Sequence, residues 1–239
     1  MNWSPHEILL LDIEGTTTPI AFVYDVLFPY ARKKIADFLG RNLTSAEVRA
    51  DLARLREEWE ADLQQGLAPP PYNNDDSAVS YLHWLMESDR KSTPLKSLQG
   101  KVWEEGYRAG ELKSRVFADV PLAFERWRGQ SKQIYIFSSG SVLAQKLLFA
   151  HTEAGDLTEF ISGYFDTNIG PKSDAESYRR IADAVKMAPP KIVFVSDVTK
   201  ELAAAREAGM QVVLSVRPGN HPQPDYDSYQ AITTFSELF

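Results

Sequence analysis

Asp12-Ile13-Glu14-Gly15-Thr16-Thr17 places two carboxylates two residues apart, directly after an apolar run at Ile8–Leu11. In an extended segment, residues i and i+2 point to the same side, so Asp12 and Glu14 share a face, and Gly15 lets the backbone turn. Two carboxylates on one side repel unless something divides their roles. A hard divalent cation with oxygen ligands does so, and Mg²⁺ suits such a site. One carboxylate can then be a nucleophile and the other a general acid/base. The same pair also fits a solvated turn. Ser138-Ser139-Gly140-Ser141 follows a second apolar run, 134–137, and leads into a helical pattern. Hydroxyls and N–H groups at a helix N-terminus bind anions, although Ser is also an ordinary N-cap. Lys172 lies in the rigid turn Gly170-Pro171-Lys172-Ser173. It is either a solvated surface charge or the counter-charge for a phosphate held between carboxylates. Asp197 ends a third apolar run, 192–195 plus Ser196, where Asp also serves as turn former or helix cap.

The elements that must position these residues follow from periodicity. The runs Ile8–Leu11, 134–137, 192–195 and 212–216 are continuous rather than alternating, as in strands covered by helices on both faces. Helical patterns occupy 141–149, 174–186 and 200–208, the last stopped by Gly209. Strand–helix alternation predicts an α/β fold with a doubly wound parallel sheet. Ligands in such sheets bind beyond the carboxyl ends of the strands, so the residues after three strands converge in one crevice.

Between the first two strands lies a helical block of about 90 residues. Thr44 to Glu47 reads as a capping box, followed by Val48, Leu52, Leu55, Trp59 and Leu63 on one helix face. Amphipathic pieces recur near 81–86 and 95–107, and residues 68–76, rich in Pro, Asn and Asp, read as a loop. The block is a long crossover or an inserted helical cap; a crossover needs only about a dozen residues, which favours a cap. The expected division is 1–20 with 112–239 as the core and 21–111 as the cap.

Composition removes several function classes. Cysteine is absent from the 239 residues, which excludes disulfide frameworks, thiolate catalysis and Cys-based zinc sites. Twenty-six basic against 33 acidic residues give a net charge of −7, the wrong field for a nucleic-acid binder. No apolar run reaches bilayer-crossing length, and the start of the chain carries Glu7 with no basic segment of the secretory type. A cytoplasmic protein acting on a small molecule is expected, without membrane or nucleic-acid partners. No exposed apolar seam suggests a coiled-coil dimer, so a monomer is expected. His6, His83, His151 and His221 show no ligand spacing and read as structural or surface residues, with His83 packed or bonded on its helix.

Taken together, the motifs resemble the four motifs of the haloacid dehalogenase-like phosphatases, with their Rossmann-like core. More narrowly, Asp12-Ile13-Glu14-Gly15-Thr16-Thr17-Thr18-Pro19-Ile20, Phe137–Val142 with Ala144–Phe149, Ser196-Asp197-Val198-Thr199-Lys200-Glu201 and Val216-Arg217-Pro218-Gly219-Asn220 resemble the enolase-phosphatases of methionine salvage, or acireductone synthases. The resemblance implies that Asp12 is the nucleophile, forming an aspartyl-phosphate, and a Mg²⁺ ligand. It makes Glu14 the acid/base, with its carbonyl on the metal, and Asp197 the third metal contact. The same resemblance implies that Ser138 and Ser139 bind the substrate phosphate and that Lys172 neutralises the phosphate and the nucleophile. The implied reaction enolises 2,3-diketo-5-methylthiopentyl-1-phosphate and then dephosphorylates it to the acireductone. The alternatives are a Mg²⁺-dependent small-molecule phosphatase with another substrate, a dehalogenase, for which a metal site is superfluous, and a non-catalytic phosphate-binding protein. Phe22, Tyr24, Phe28 and Trp84 are candidates by type for a methylthio pocket or for core packing. Glu201 fits either a place behind the site or the surface.

Overall fold

The computed structural model describes residues 7–74, 77–88 and 90–238. His6 and the end of the 68–76 loop, Asp75 and Asp76, lie outside the described residues. Two compact units emerge, Met1–Val23 with Lys113–Phe239, and Tyr24–Leu112.

The first unit is built on six parallel strands: β1 (Ile8–Leu11), β2 (Gln133–Phe137), β3 (Ile161–Phe165), β4 (Ile192–Ser196), β5 (Gln211–Ser215) and β6 (Ala231–Ile232). Their order is β3-β2-β1-β4-β5-β6. The order reverses beside β1, so the β1/β4 boundary is the topological switch point, where open α/β sheets bind ligands. Register is uniform there: Leu11 lies opposite Ile136 on one side and Val195 on the other. Asp12 N–H donates to Val195 O at 3.0 Å, so the chain leaves β1 still tied to β4.

Both faces of β1 are buried, and alternation sorts its residues. Ile8 and Leu10 join Phe137, Tyr178, Ile192 and Phe194 in one core cluster. Leu9 and Leu11, with Ile134, Ile136, Val193 and Val195, are buried on the opposite face. Each such side chain contributes about 1.5–3 kcal/mol of burial, enough to keep a polar loop fixed at the strand end. The helices Val142–Ala150, Ala175–Ala184 and Thr199–Glu207 fall where periodicity put them.

Two strands escaped the sequence reading. In β3, Ile-Ser-Gly-Tyr-Phe breaks its apolar run; a Cβ on Gly163 would come within 2.9 Å of the Tyr135 ring, so the glycine permits a close strand approach. The other, β6, has two residues.

The second unit contains helices Phe28–Asn42, Ala46–Gln64, Ala78–Glu87 and Thr93–Arg108. Val48, Leu52 and Leu55 are buried as the pattern requires, but two expectations on this helix fail. Thr44 does not open a capping box: Ser45 is the N-cap, and its side chain makes no cap bond. Leu63 is 44% exposed whereas Asp62 is 1% exposed. The buried seam passes through Asp62 because its charge is met there: Tyr81 Oη donates to Oδ2 and Arg90 to Oδ1, both at 2.7 Å. His83 is bonded as expected, its Nε2 lying 3.1 Å from Arg32 O. Tyr24 is exposed, whereas Phe22 is buried. Among the described residues no helix is long and apolar enough to cross a membrane.

The seam is open to test by equilibrium urea unfolding. Asp62→Ala strands Tyr81 Oη and a guanidinium and should cost about 2 kcal/mol, whereas Leu63→Ala should stay within about 0.5 kcal/mol of wild type. The reverse ranking would restore Leu63 to the core.

Candidate active site

The turn after β1 is wound tightly. Thr16, Thr17 and Thr18 N–H groups all donate to Ile13 O at 2.9–3.2 Å, and Gly15 N–H donates to Thr18 O at 2.8 Å. Gly15 has φ +67°, a left-handed value that L side chains disfavour. A Cβ there would also lie 2.4 Å from Asp197 Oδ2, so the glycine lets the β4 carboxylate approach. The end of β5 and the segment after it clamp this turn from outside. Gly15 O accepts from Ser215 Oγ (3.1 Å) and Asn220 Nδ2 (2.9 Å), and Thr16 O from Arg217 Nε (3.3 Å). Arg217 is itself fixed by a two-pronged pair with Asp119 at 2.9–3.0 Å.

Asp12, 2% exposed, is bonded at both oxygens. Oδ1 accepts Ile13 N–H at 2.8 Å and lies 2.6 Å from Lys172 Nζ; Oδ2 accepts Ser196 Oγ–H at 3.0 Å. Lys172 is therefore no surface charge: its ammonium is buried and also pairs with Glu201 Oε2 at 2.7 Å. Its turn is locked by the following helix, with Ser177 Oγ donating to Pro171 O and Tyr178 Oη to Lys172 O, both at 2.7 Å. Glu201 stands behind the site rather than on the surface. Its Oε2 is also 3.0 Å from Ser196 Oγ, so one hydroxyl lies between two carboxylates.

Glu14 faces the loop after β2. Ser138 Oγ, on a residue 1% exposed, donates to Glu14 Oε2 at 3.4 Å and accepts Gly140 N–H at 3.2 Å. Ser139 is exposed at the adjoining bend. Ser141 is the N-cap of the next helix, its Oγ accepting Ala144 N–H at 3.3 Å. The four serine-loop residues thus divide, with Ser138 on Glu14 and Ser141 on the helix.

Four carboxylates surround one ammonium, and the electrostatics follow. Burial, then the Asp12 charge, pushes the Glu14 carboxyl up. The same two causes lift Asp197 to about 7 and Glu201 to about 8. For Lys172, burial pulls downward but Asp12 and Glu201 outweigh it, so the ammonium is held charged. The cluster lacks positive charge, and hard oxygen donors dominate it. Asp12 and Asp197 with the Glu14 carbonyl suit a small divalent cation that takes one or two carboxylates and keeps several waters. Glu14's carboxylate is directed to Ser138 instead, and among the described residues no three acidic or imidazole groups form a ready-made cage.

Ser215 looks like an ordinary strand end in the sequence, and Ser196 carries motif resemblance without an assigned task. Glu201's spacing of four residues from Asp197 was the available signal for its position. Asn220 and Arg217 carried motif resemblance but no assigned task.

A carboxylate-lined switch point with a buried lysine and a hydroxyl loop is the arrangement of a phosphoryl-transfer hydrolase on a Rossmann-like core. The chain belongs to the haloacid dehalogenase-like hydrolase family, which matches residues 6–209. It is 53% identical over 232 residues to enolase-phosphatase E1 of Synechococcus elongatus, covering 96% of each chain. It is 43% identical over 244 residues to enolase-phosphatase E1 of Danio rerio, covering 97% of this chain and 94% of that one. Among solved structures, the UTR4 protein of Saccharomyces cerevisiae has a TM-score of 0.80 at 34% identity, covering 98% of this chain and 100% of that one.

The raised carboxyls make a sign-specific prediction for protein kept in chelator. A carboxyl with a folded pKa above its unfolded value stabilises the fold while protonated, and that stability is lost as pH rises. For Asp197 the loss runs from about 4 to about 7. The melting temperature should fall across that window, and Asp197→Asn should flatten the decline. A melting temperature that rises with pH in wild type would contradict the charge imbalance.

Proposed function

We propose that this chain is a Mg²⁺-dependent enolase-phosphatase. It enolises 2,3-diketo-5-methylthiopentyl-1-phosphate and then dephosphorylates the enol to 1,2-dihydroxy-3-keto-5-methylthiopentene. The observation that carries the reading is the Asp12 carboxylate held 2.6 Å from Lys172 at the β1/β4 switch point. The relatives named above support the substrate.

Asp12 and Asp197, with the Glu14 carbonyl, would hold Mg²⁺, which supplies positive charge against the phosphoryl oxygens. The residues divide the remaining work. Ser138 and Ser139 bind the phosphate, and Lys172 balances its charge beside the nucleophile. Enolisation moves a proton from C1 to the C2 oxygen. Asp12 Oδ then attacks phosphorus in line, the phosphorus–oxygen bond to the enol breaks, and Glu14, kept protonated by burial, gives its proton to the leaving oxygen. The ionised Glu14 next takes a proton from water as that water attacks the aspartyl-phosphate, and the bond from phosphorus to Asp12 breaks. Enzyme and inorganic phosphate are restored.

Residues 21–111 act in this reading as a cap that excludes water from the phosphoenzyme. In this reading the protein is cytoplasmic and a monomer, and size-exclusion chromatography with light scattering tests the oligomeric state.

Ultraviolet absorbance of the enol and released phosphate, followed together on the diketo phosphate, test the reaction. Wild type with Mg²⁺ should give both signals. Asp12→Asn should lower phosphate release by about 10³-fold or more, in the range for loss of a nucleophile, and Glu14→Gln by about 10²–10⁴-fold. Phosphate released only from unrelated esters would remove the substrate assignment. Mg²⁺ should raise the melting temperature more at pH 8 than at pH 5, because protons compete for Asp197 at the lower pH.

A further inference from the structure

Gln145 has no part in the chemistry above, yet it is 1% exposed in the first turn of the helix Val142–Ala150. Its Nε2 donates to Gly140 O and to Phe165 O, each at 2.8 Å. Only an NH₂ group serves two carbonyls, so the amide's orientation is fixed. Its Oε1 is buried with no hydrogen-bond partner among the described residues. A leucine or methionine chosen for packing would not carry that desolvated acceptor. The donor half of the amide is what this position uses.

Both carbonyls frame the serine loop. Phe165 O also accepts Ser138 N–H at 3.2 Å, and Gly140 N–H donates to Ser138 Oγ at 3.2 Å. Gln145 therefore closes a ring of bonds from Ser138 through the end of β3, through its own amide, to Gly140 and back. Because the peptide unit is planar, holding the Gly140 carbonyl also fixes the plane that carries the next N–H.

We infer that Gln145 is a positioning residue for phosphate binding, setting the backbone of residues 138–141 by tying Gly140 to the end of β3. The inference rests on the reading of Ser138 and Ser139 as phosphate ligands.

Gln145→Met keeps length and bulk and removes both donors. The full-length variant is compared with wild type on an aryl phosphate and on the diketo phosphate, with inorganic phosphate as competitive inhibitor. The KM values and the phosphate inhibition constant should rise together by about tenfold, the effect of a modest misplacement of binding groups. The kcat should change by less than about threefold, and the Mg²⁺ dissociation constant from calorimetry should not change. A residue that only packs would lower the melting temperature and leave these constants in place. A phosphate constant within about twofold of wild type therefore overturns the inference. If Gln145→Met does not fold, Gln145→Asn, whose amide is one methylene short of the carbonyls, is read by the same constants. Wild type that hydrolyses the aryl phosphate but not the diketo phosphate removes the substrate reading alone, since phosphate affinity still reports on Gln145. Wild type that binds no inorganic phosphate overturns both.

Discussion

A buried lysine ammonium shared by two carboxylates anchors the carboxyl end of the sheet. Lys172 bonds Asp12 at 2.6 Å and Glu201 at 2.7 Å, and Ser196 links the same two carboxylates. Leaving any of these charges buried without the others would cost several kcal/mol. The chain meets that demand by bringing three separate segments together: the turn after β1, the Gly170–Lys172 turn and the first turn of the helix after β4. Even so, acid outnumbers base, and the surplus raises Glu14, Asp197 and Glu201 alike; the first two are the groups nearest the proposed proton transfer and cation. Positioning and charge tuning are thus one arrangement.

The second constraint is steric. Gly15 has a left-handed backbone and leaves room for Asp197, so one residue satisfies both a turn and a close approach. The turn does not rest on its own bonds alone. Ser215, Asn220 and Arg217 hold two of its carbonyls from the far side of β4. The site is therefore braced through the sheet, with the β5 end supporting the β1 end.

Much of this was legible in the chain. Strands β1, β2, β4 and β5 announce themselves because strands buried on both faces need unbroken apolar runs, and the residues after them fall at one sheet end by topology alone. What was illegible has identifiable causes. In β3, Ser162 and Gly163 interrupt the run, because the glycine answers the Tyr135 ring rather than any strand preference. The helical seam takes Asp62 over Leu63 because partners nearly twenty and thirty residues away satisfy the acid. Ser196 and Gln145 look ordinary in sequence, since their importance lies in which distant atoms they reach. Asp12 is bonded to Lys172 and Glu14 to Ser138, while Asp197 joins them through its charge and its approach to Gly15. That assembly followed from strand ends, whereas Lys172's burial did not follow from its turn.

The strand register has a consequence for biosynthesis. Ile8 pairs with Gln133 on one side and Ile192 on the other. At about 5–20 residues per second, a ribosome makes β1 many seconds before its first partner exists and longer still before the second. The unit Tyr24–Leu112, whose contacts are local by comparison, is fully translated in that interval. Four consecutive apolar residues thus wait without a sheet, and the strand that leads into Asp12 is made first but gains its second neighbour only when β4 appears. Loop-closure entropy of this scale slows folding, so the central pairing of the sheet waits until β4 emerges.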